Sequence, residues 1–310
     1  MEKMAHQTTP LPLKCYQQAS SRSFQCFLAS GNQENTILKC IEEHIVPFVS
    51  IGISELLENH SSNNSPFRVL SVGSGEGEND INILKAFSKI GREKQTAISI
   101  INRVIEPDVG RLWKFRAKTA NLFENLTEQV KVDFEWVPMT FQEYTSQKKE
   151  DDAKFDVVHF INSMYYLGIE DALVHCYEKV LGKEGIIISI TQDEDDPMLK
   201  LAAKFPNQRN PSLPRNKDVI ALATQRRWKY FACPGDTNNL DITAIFDSSS
   251  WEGNYLLDFL INKIDVRHNE TKETVQNILK FWKEKSFVNM EGRRIVKLRD
   301  NAVIILKQAL

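Results

Sequence analysis

The chain has 310 residues, 42% of them hydrophobic and 26% charged, enough to bury a sizeable core as one large domain or one domain carrying a subdomain. A formal net charge of −2 provides no basic excess to meet phosphates, which argues against a nucleic-acid binder. Five cysteines without a C-x-x-C pair point to free thiols in a reducing compartment rather than a zinc site or a disulfide framework. Residues 1–18 lack the charged start and apolar core of a signal peptide, and no apolar run approaches the roughly 20 residues that span a bilayer, so a cytoplasmic protein is expected.

After a polar leader, residues 24–28 and 36–53 read as helices, the second with Ile37, Ile41, Ile45 and Phe48 at helical spacing. Residues 61–66 form a polar linker. Strand patterns over 68–72, 97–105, 130–137, 155–161 and 185–190 then alternate with helical patterns over 79–90, 108–122 and 171–180, with a charged surface loop at 147–154. That alternation predicts an α/β fold with a mostly parallel, Rossmann-like sheet and right-handed crossovers. Strands over 229–233 and 302–306 complete a seven-stranded sheet. Between them, residues 236–296 mix turn residues with Trp251, Phe259 and Trp282. The expected division is a nucleoside-cofactor domain over 1–200 with 297–310, its N-terminal helices covering the active site, and a substrate-side subdomain over 201–296.

The run Val69-Leu70-Ser71-Val72-Gly73-Ser74-Gly75-Glu76-Gly77 is a short apolar strand ending in alternate glycines, followed by a helical pattern. Glycines at such a turn let a ligand approach the backbone closely. The next strand ends in Glu106, placed to accept both hydroxyls of a ribose. Ligands collect beyond the carboxyl ends of strands in such sheets, so 73–77, Glu106, Thr140 and 161–166 converge on one crevice. The G-x-G-x-G spacing lacks the further helix glycine of a dinucleotide site. Together with the aromatic fourth strand and the late insertion, it favours S-adenosylmethionine, which needs no phosphate cradle. His159, inside an apolar strand, reads as a hydrogen-bonded structural residue rather than a general base. No Ser or Cys has a base at a recognisable motif spacing.

Leu70-Ser71-Val72-Gly73-Ser74-Gly75-Glu76-Gly77-Glu78, Val104-Ile105-Glu106-Pro107, and Phe155-Asp156-Val157-Val158-His159-Phe160-Ile161 followed by Tyr165-Tyr166 resemble the histamine N-methyltransferase family. Leu256-Leu257-Asp258-Phe259-Leu260 and the apolar last strand extend the likeness, which runs from about residue 24 to residue 306. The resemblance implies a class I methyltransferase fold, S-adenosyl-L-methionine as cofactor and a small imidazole-bearing amine as acceptor. It implies that Gly73, Gly75 and Gly77 pass under the cofactor and that Glu106 binds its ribose. Arg111 falls where the family carries a glutamine beyond that acid. Thr140 and Phe141 fall at the adenine, with Phe141 in place of a serine, and Ile161 packs near the sulfonium.

On the acceptor side, Asn162 replaces a family glutamine and is expected to orient the ring. Tyr165 and Tyr166 wall the pocket, and one of them, with Tyr165 the first choice, stabilises the positive charge shared by sulfur and ring through its π face. The family's amine-binding glutamate falls on Gln33, and its asparagine partner on Asp300 or the adjacent Asn301. We read this as an exchange of acid and amide between the two walls. Asp300 then meets the substrate cation with Gln33 as neutral partner, because a buried unpaired charge is costly. Transfer is expected to be a direct in-line displacement with no metal. Nucleic acid, membrane and an obligate protein partner are not called for. The aromatic residues that the family uses after strand five are absent, since 191–197 is acidic and polar. Two alternatives therefore stay open: the same fold with another acceptor, such as a histidine-containing dipeptide or another biogenic amine, or a catalytically silent cofactor-binding module.

Overall fold

The computed structural model describes residues 21–47, 65–93, 98–120, 130–147, 153–205 and 214–307. The end of the expected second helix beyond residue 47, most of the 61–66 linker, the 148–152 part of the charged loop and residues 206–213 lie outside the described residues.

Helices α1 (Ser21–Ser30) and α2 (Gln33–Cys40), the latter continuing as a π turn over Ile41–Ile45, precede the sheet. The strands β1 (Phe67–Val72), β2 (Ile98–Ile105), β3 (Val130–Val137), β4 (Phe155–Ile161) and β5 (Leu181–Gln192) pair in parallel in the order β3-β2-β1-β4-β5. Their crossovers carry α3 (Glu78–Glu93), α4 (Val109–Ala120), α5 (Phe141–Gln147) and α6 (Ile169–His175), which runs on as a π turn over Cys176–Val180. Then follow α7 (Pro197–Lys204), α8 (Asn216–Gln225), β6 (Lys229–Cys233), β7 (Thr237–Asp241), α9 (Trp251–Ile261), α10 (Val266–Asn269), α11 (Lys272–Lys285), β8 (Ser286–Val288) and β9 (Arg294–Leu306). The main sheet continues from β5 through β9 to β6, both joined antiparallel. This seven-strand path is the expected Rossmann-like arrangement, a parallel core with antiparallel strands at one edge.

Both faces of the sheet are covered, which is why its central strands are nearly all apolar. On one face Val69, Ile100, Val157, Ile188 and Ile304 pack against Ile37 and Ile41 of the N-terminal helix and Ile83, Leu84 and Phe87 of α3. On the other, Leu70, Val158, Phe160, Ile187 and Val303 meet Phe141 of α5, Leu173 of α6 and Val219 of α8. Each fully buried aliphatic or aromatic side chain contributes about 1.5–3 kcal/mol. A third cluster lies beside the sheet: Phe27 of α1, Leu201 of α7, Leu256 and Leu257 of α9, and Ile278 and Trp282 of α11 pack on Val296 and Leu298.

β9 joins the two parts. Its second half, Ala302 to Leu306, pairs with β5 and β6, while its first half, from Arg294 to Arg299, pairs with β7 and β8. The strand therefore begins at Arg294 rather than at residue 302. Charged residues alternating with Ile295, Val296 and Leu298 hide a half-exposed strand from a search for apolar runs. β5 likewise starts at Leu181, ahead of the expected residue 185.

The glycine turn after β1 has an unexpected internal logic. Gly77 has φ 83°, and a Cβ there would overlap the ring of Phe115 on α4. Its lack of a side chain makes room for the helix after β2, and it does not line the cleft described below. The packing against Phe115 is a structural role that the sequence reading did not assign to it. Gly77→Ala combines an unfavourable left-handed backbone with overpacking, and should lower unfolding free energy by about 2–4 kcal/mol in urea denaturation.

Candidate active site

A cleft of about 840 Å³ opens at the carboxyl ends of β1, β2, β4 and β5, roofed by α1 and α2. Gly73, Gly75, Glu106, Arg111, Thr140, Phe141, Ile161, Asn162, Tyr165, Tyr166 and Gln33 all line it. Eleven positions spread from residue 33 to residue 166 are thus brought to one cavity, as the strand-end rule for such sheets requires.

Glu106 is fully buried at the end of β2. Its Oε2 accepts from the Gly75 backbone N–H at 2.8 Å and its Oε1 from that of Asp108 at 2.9 Å. The two backbone donors fix the carboxylate plane. Gly73, at φ 71°, has no room for a side chain: a Cβ would stand 2.5 Å from Cβ of Ser163. Ser163 Oγ and Asn79 Oδ1, both on the cleft wall, are buried without a hydrogen-bond partner. An acid fixed at a strand end, a glycine floor and two unsatisfied polar atoms together fit a nucleoside bearing an amino-acid tail.

Thr140 has a second role that its sequence announced. It is the N-cap of α5: its N–H and hydroxyl both bond Glu143 Oε2 at 2.8 Å, and its Oγ1 accepts from the Glu143 N–H at 3.2 Å. These bonds hold the Glu143 carboxyl below its ordinary range. Thr140-Phe141-Gln142-Glu143 is a capping box, and it foretells a helix absent from the sequence reading. Phe141 is largely a core residue, edge-on to Phe160 with ring centres 5.9 Å apart. The arginine at position 111 lays its guanidinium 5.5 Å from the ring centre of Phe24, tying α4 to the α1 roof.

On the acceptor side, Asn162 ends β4 with φ 50°, a left-handed conformation that asparagine tolerates better than most residues. Its Oδ1 accepts from Tyr165 OH at 2.8 Å, and its Nδ2 donates to Asp300 Oδ2 at 3.3 Å. Gln33 Nε2 donates to the same Asp300 oxygen at 2.9 Å. A chain Tyr165–Asn162–Asp300–Gln33 thus links three segments far apart in sequence. Asp300 is partly buried and stands behind Gln33 and Asn162 instead of lining the cleft itself. Burial raises its pKa, against the lowering effect of its two amide donors. Among the described residues no Lys, Arg or His pairs with it.

The neighbouring Asn301 is committed elsewhere. Its Nδ2 donates to Asp193 at 2.6 Å, and its Oδ1 accepts from the Gly235 N–H at 3.0 Å. Alternation along β9 turns it away from Asp300's face.

Several lining residues carried no expectation from sequence. Phe24 and Phe27 of α1 meet Phe259 of α9, with Phe27 and Phe259 stacked 4.3 Å apart between ring centres. Gln192 and Met198 close the far end. The Phe24/Phe27 spacing is a usable helical signal, whereas Gln192 is recognisable only once the register of β5 is known.

His159 lies outside the cleft lining, 2% exposed beneath the glycine turn. Ser71 Oγ donates to Asn102 Oδ1 at 2.8 Å, so it accepts from His159 Nε2 at 2.7 Å. Ser74 Oγ in turn donates to Asp80 Oδ1 at 2.8 Å, and that oxygen lies 3.6 Å from the imidazole.

Fold and cleft together define the class: a Rossmann-like methyltransferase using S-adenosylmethionine. No family model matches the chain. The chain is similar to histamine N-methyltransferase of Cavia porcellus, 27% identical over 286 residues, covering 88% of this chain and 91% of the relative. It is also similar to that of Mus musculus, 25% identical over 298 residues, covering 93% and 94%. Among solved structures, the YcgJ protein of Bacillus subtilis superposes with a TM-score of 0.47 at 13% identity, covering 78% of this chain and 92% of that one. Among the described residues no helix is long and apolar enough to cross a membrane.

Burial lowers the His159 pKa, with the nearby Asp80 charge opposing it. The folded state therefore binds the proton less tightly than the unfolded chain. Stability contributed by neutral His159 is present above about pH 6.5 and is lost as pH falls below it, by at most about 1.4 kcal/mol per pH unit. Urea midpoints from pH 8 to 5.5 should fall less steeply in His159→Gln than in the native protein.

Proposed function

We propose that the protein is an S-adenosylmethionine-dependent N-methyltransferase acting on a small imidazole-bearing amine, histamine or a close analogue. The observation that supports this reading is Asp300: a partly buried carboxylate directly behind the cleft-lining Gln33 and Asn162, held by their two neutral amides and, among the described residues, without a cation. An ammonium group on the acceptor supplies the missing charge. The names of the similar proteins support the same acceptor class.

In this reading Glu106 takes the ribose with the carboxylate that its two backbone bonds orient. Gly73 and Gly75 floor the cofactor site, and Arg111, Thr140, Phe141 and Ile161 complete its wall. When bound, S-adenosylmethionine supplies an electrophilic methyl group on a sulfonium. An unprotonated imidazole nitrogen already carries the lone pair that is needed, so no general base is required. Asn162 orients the ring through the second N–H and second lone pair that its amide retains beyond the bonds to Asp300 and Tyr165. Tyr165 and Tyr166 wall the site and stabilise the cationic ring with their π faces. Holding nucleophile and methyl in line can contribute about 7–11 kcal/mol.

We assign residues 201–296 to shaping the acceptor side, where Phe259 and Asn262 reach the cleft. The reading places the reaction in the cytoplasm, in keeping with free thiols at Cys26, Cys40, Cys176 and Cys233. A second acceptor class, a histidine-containing dipeptide or another biogenic amine, is favoured by Gln192 and Met198 standing at the cleft end in a segment without aromatics.

A panel of imidazoles and small amines incubated with radiolabelled methyl donor tests the activity and names the acceptor. Transfer to an imidazole nitrogen is expected; cofactor binding by calorimetry without transfer to any member would leave a silent binding module. Asp300→Asn should raise KM for the amine about 10- to 100-fold while cofactor affinity stays unchanged. An unchanged KM would remove Asp300 from acceptor binding.

A further inference from the structure

Gln192 is the last residue of β5 and the register partner of Asp300 on β9. Directly opposed residues of an antiparallel pair project from the same face, with Cβ atoms about 4.5–5.5 Å apart. Gln192 lines the cleft, is only 8% exposed, and uses its Nε2 to donate to Met198 Sδ at 3.5 Å. Its Oε1 is buried with no hydrogen-bond partner. Turning the amide over would set the carbonyl oxygen against the sulfur lone pairs, so the orientation that leaves Oε1 unpaired is the favoured one. Asp300 takes both of its hydrogen bonds on Oδ2, leaving Oδ1 without one among the described residues.

We propose that Gln192 and Asp300 form an acceptor corner that receives a primary ammonium group, with Gln192 determining the preference for cationic over neutral acceptors; this rests on the methyltransferase reading above. The stoichiometry of donors supports it. An ammonium brings three N–H donors and a charge; the corner offers Gln192 Oε1 on the cleft lining and, on the paired strand beside it, the anionic Asp300 Oδ1, which the ligand's arm must reach past Gln33 and Asn162. A neutral hydroxyl brings one donor and no charge. A metal ion is a poorer match, because the amide N–H groups of Gln33 and Asn162 already bond the neighbouring oxygen of Asp300. Gln192 thus takes up a polar role at the end of β5, in a segment whose aromatic residues are missing. The imidazole ring stays between Asn162 and the two tyrosines while the amine arm reaches toward the sheet.

Calorimetric titration of the full chain, with and without saturating S-adenosylhomocysteine, reads this corner independently of turnover. The probes are histamine and 4-methylimidazole, which lacks the ammonium arm. The native protein is expected to bind histamine at least about tenfold more tightly than 4-methylimidazole. Gln192→Leu should weaken histamine about 10- to 100-fold, the range for a lost hydrogen bond to a charged group, and leave 4-methylimidazole unaffected. Gln192→Glu, which restores an acceptor and adds charge, should bind histamine at least as well as the native protein. An unchanged thermal midpoint in both variants shows that the fold is intact. No preference for histamine in the native protein, equal loss of both probes in Gln192→Leu, or no loss at all overturns the proposal. Discriminating binding without methyl transfer overturns the proposed activity and leaves the corner standing.

Discussion

A carboxylate drawn partly out of water, with no cation beside it among the described residues, is the constraint around which one end of the cleft is arranged. Asp300 is held by Gln33 from the N-terminal helices and Asn162 from the end of β4, two segments far away in sequence. Neutral amides can steady such a charge but cannot neutralise it, and burial still pushes its pKa upward. The remaining electrostatic demand is directed at whatever enters the cleft.

The donor half is built on a different principle. Its key acid, Glu106, is satisfied by backbone N–H groups from the glycine turn and from the start of α4, so its orientation follows from the path of the main chain. Beneath the turn, Asn102, Ser71, His159, Asp80 and Ser74 form a buried polar network that ties β1, β2, β4 and α3 together. A network of this kind is rigid only while its members are paired. Neutral His159 donates to Ser71 without adding a charge, while its Nδ1 and Asn102 Nδ2 stay without partners among the described residues. The glycine-turn end of the cleft is therefore locally encoded, whereas the Asp300 end is assembled from segments far apart in sequence.

That contrast explains what could be read from sequence. Alternating strands and helices, the glycine turn and Glu106 are local patterns, and the parallel sheet and cofactor crevice follow from them. The convergence of Gln33, Asn162, Tyr165 and Tyr166 was also legible, through resemblance to a family rather than through periodicity. The packing role of Gly77 was not legible, because the ring that leaves no room for a Cβ belongs to Phe115, nearly forty positions further on, and no local pattern reveals that contact. The choice between Asp300 and Asn301 could not be made before the pleat of β9 was known, since adjacent residues face opposite sides. Helix α5 was missed although its capping box stands plainly at Thr140-Phe141-Gln142-Glu143. Gln192 had no signal at all, because its partner lies across a strand pairing of more than a hundred residues' separation.

The continuity of β9 has a mechanical meaning. One unbroken strand is zipped to the cofactor sheet by its second half and to the smaller β7–β8 ladder by its first. Asp300 occupies the hinge between those halves, so the smaller ladder and the parallel sheet share a single rail through the reaction chamber. Changes packed against the outer half of that rail therefore bear on the position of Asp300 more directly than on that of Glu106, which is fixed by the glycine turn.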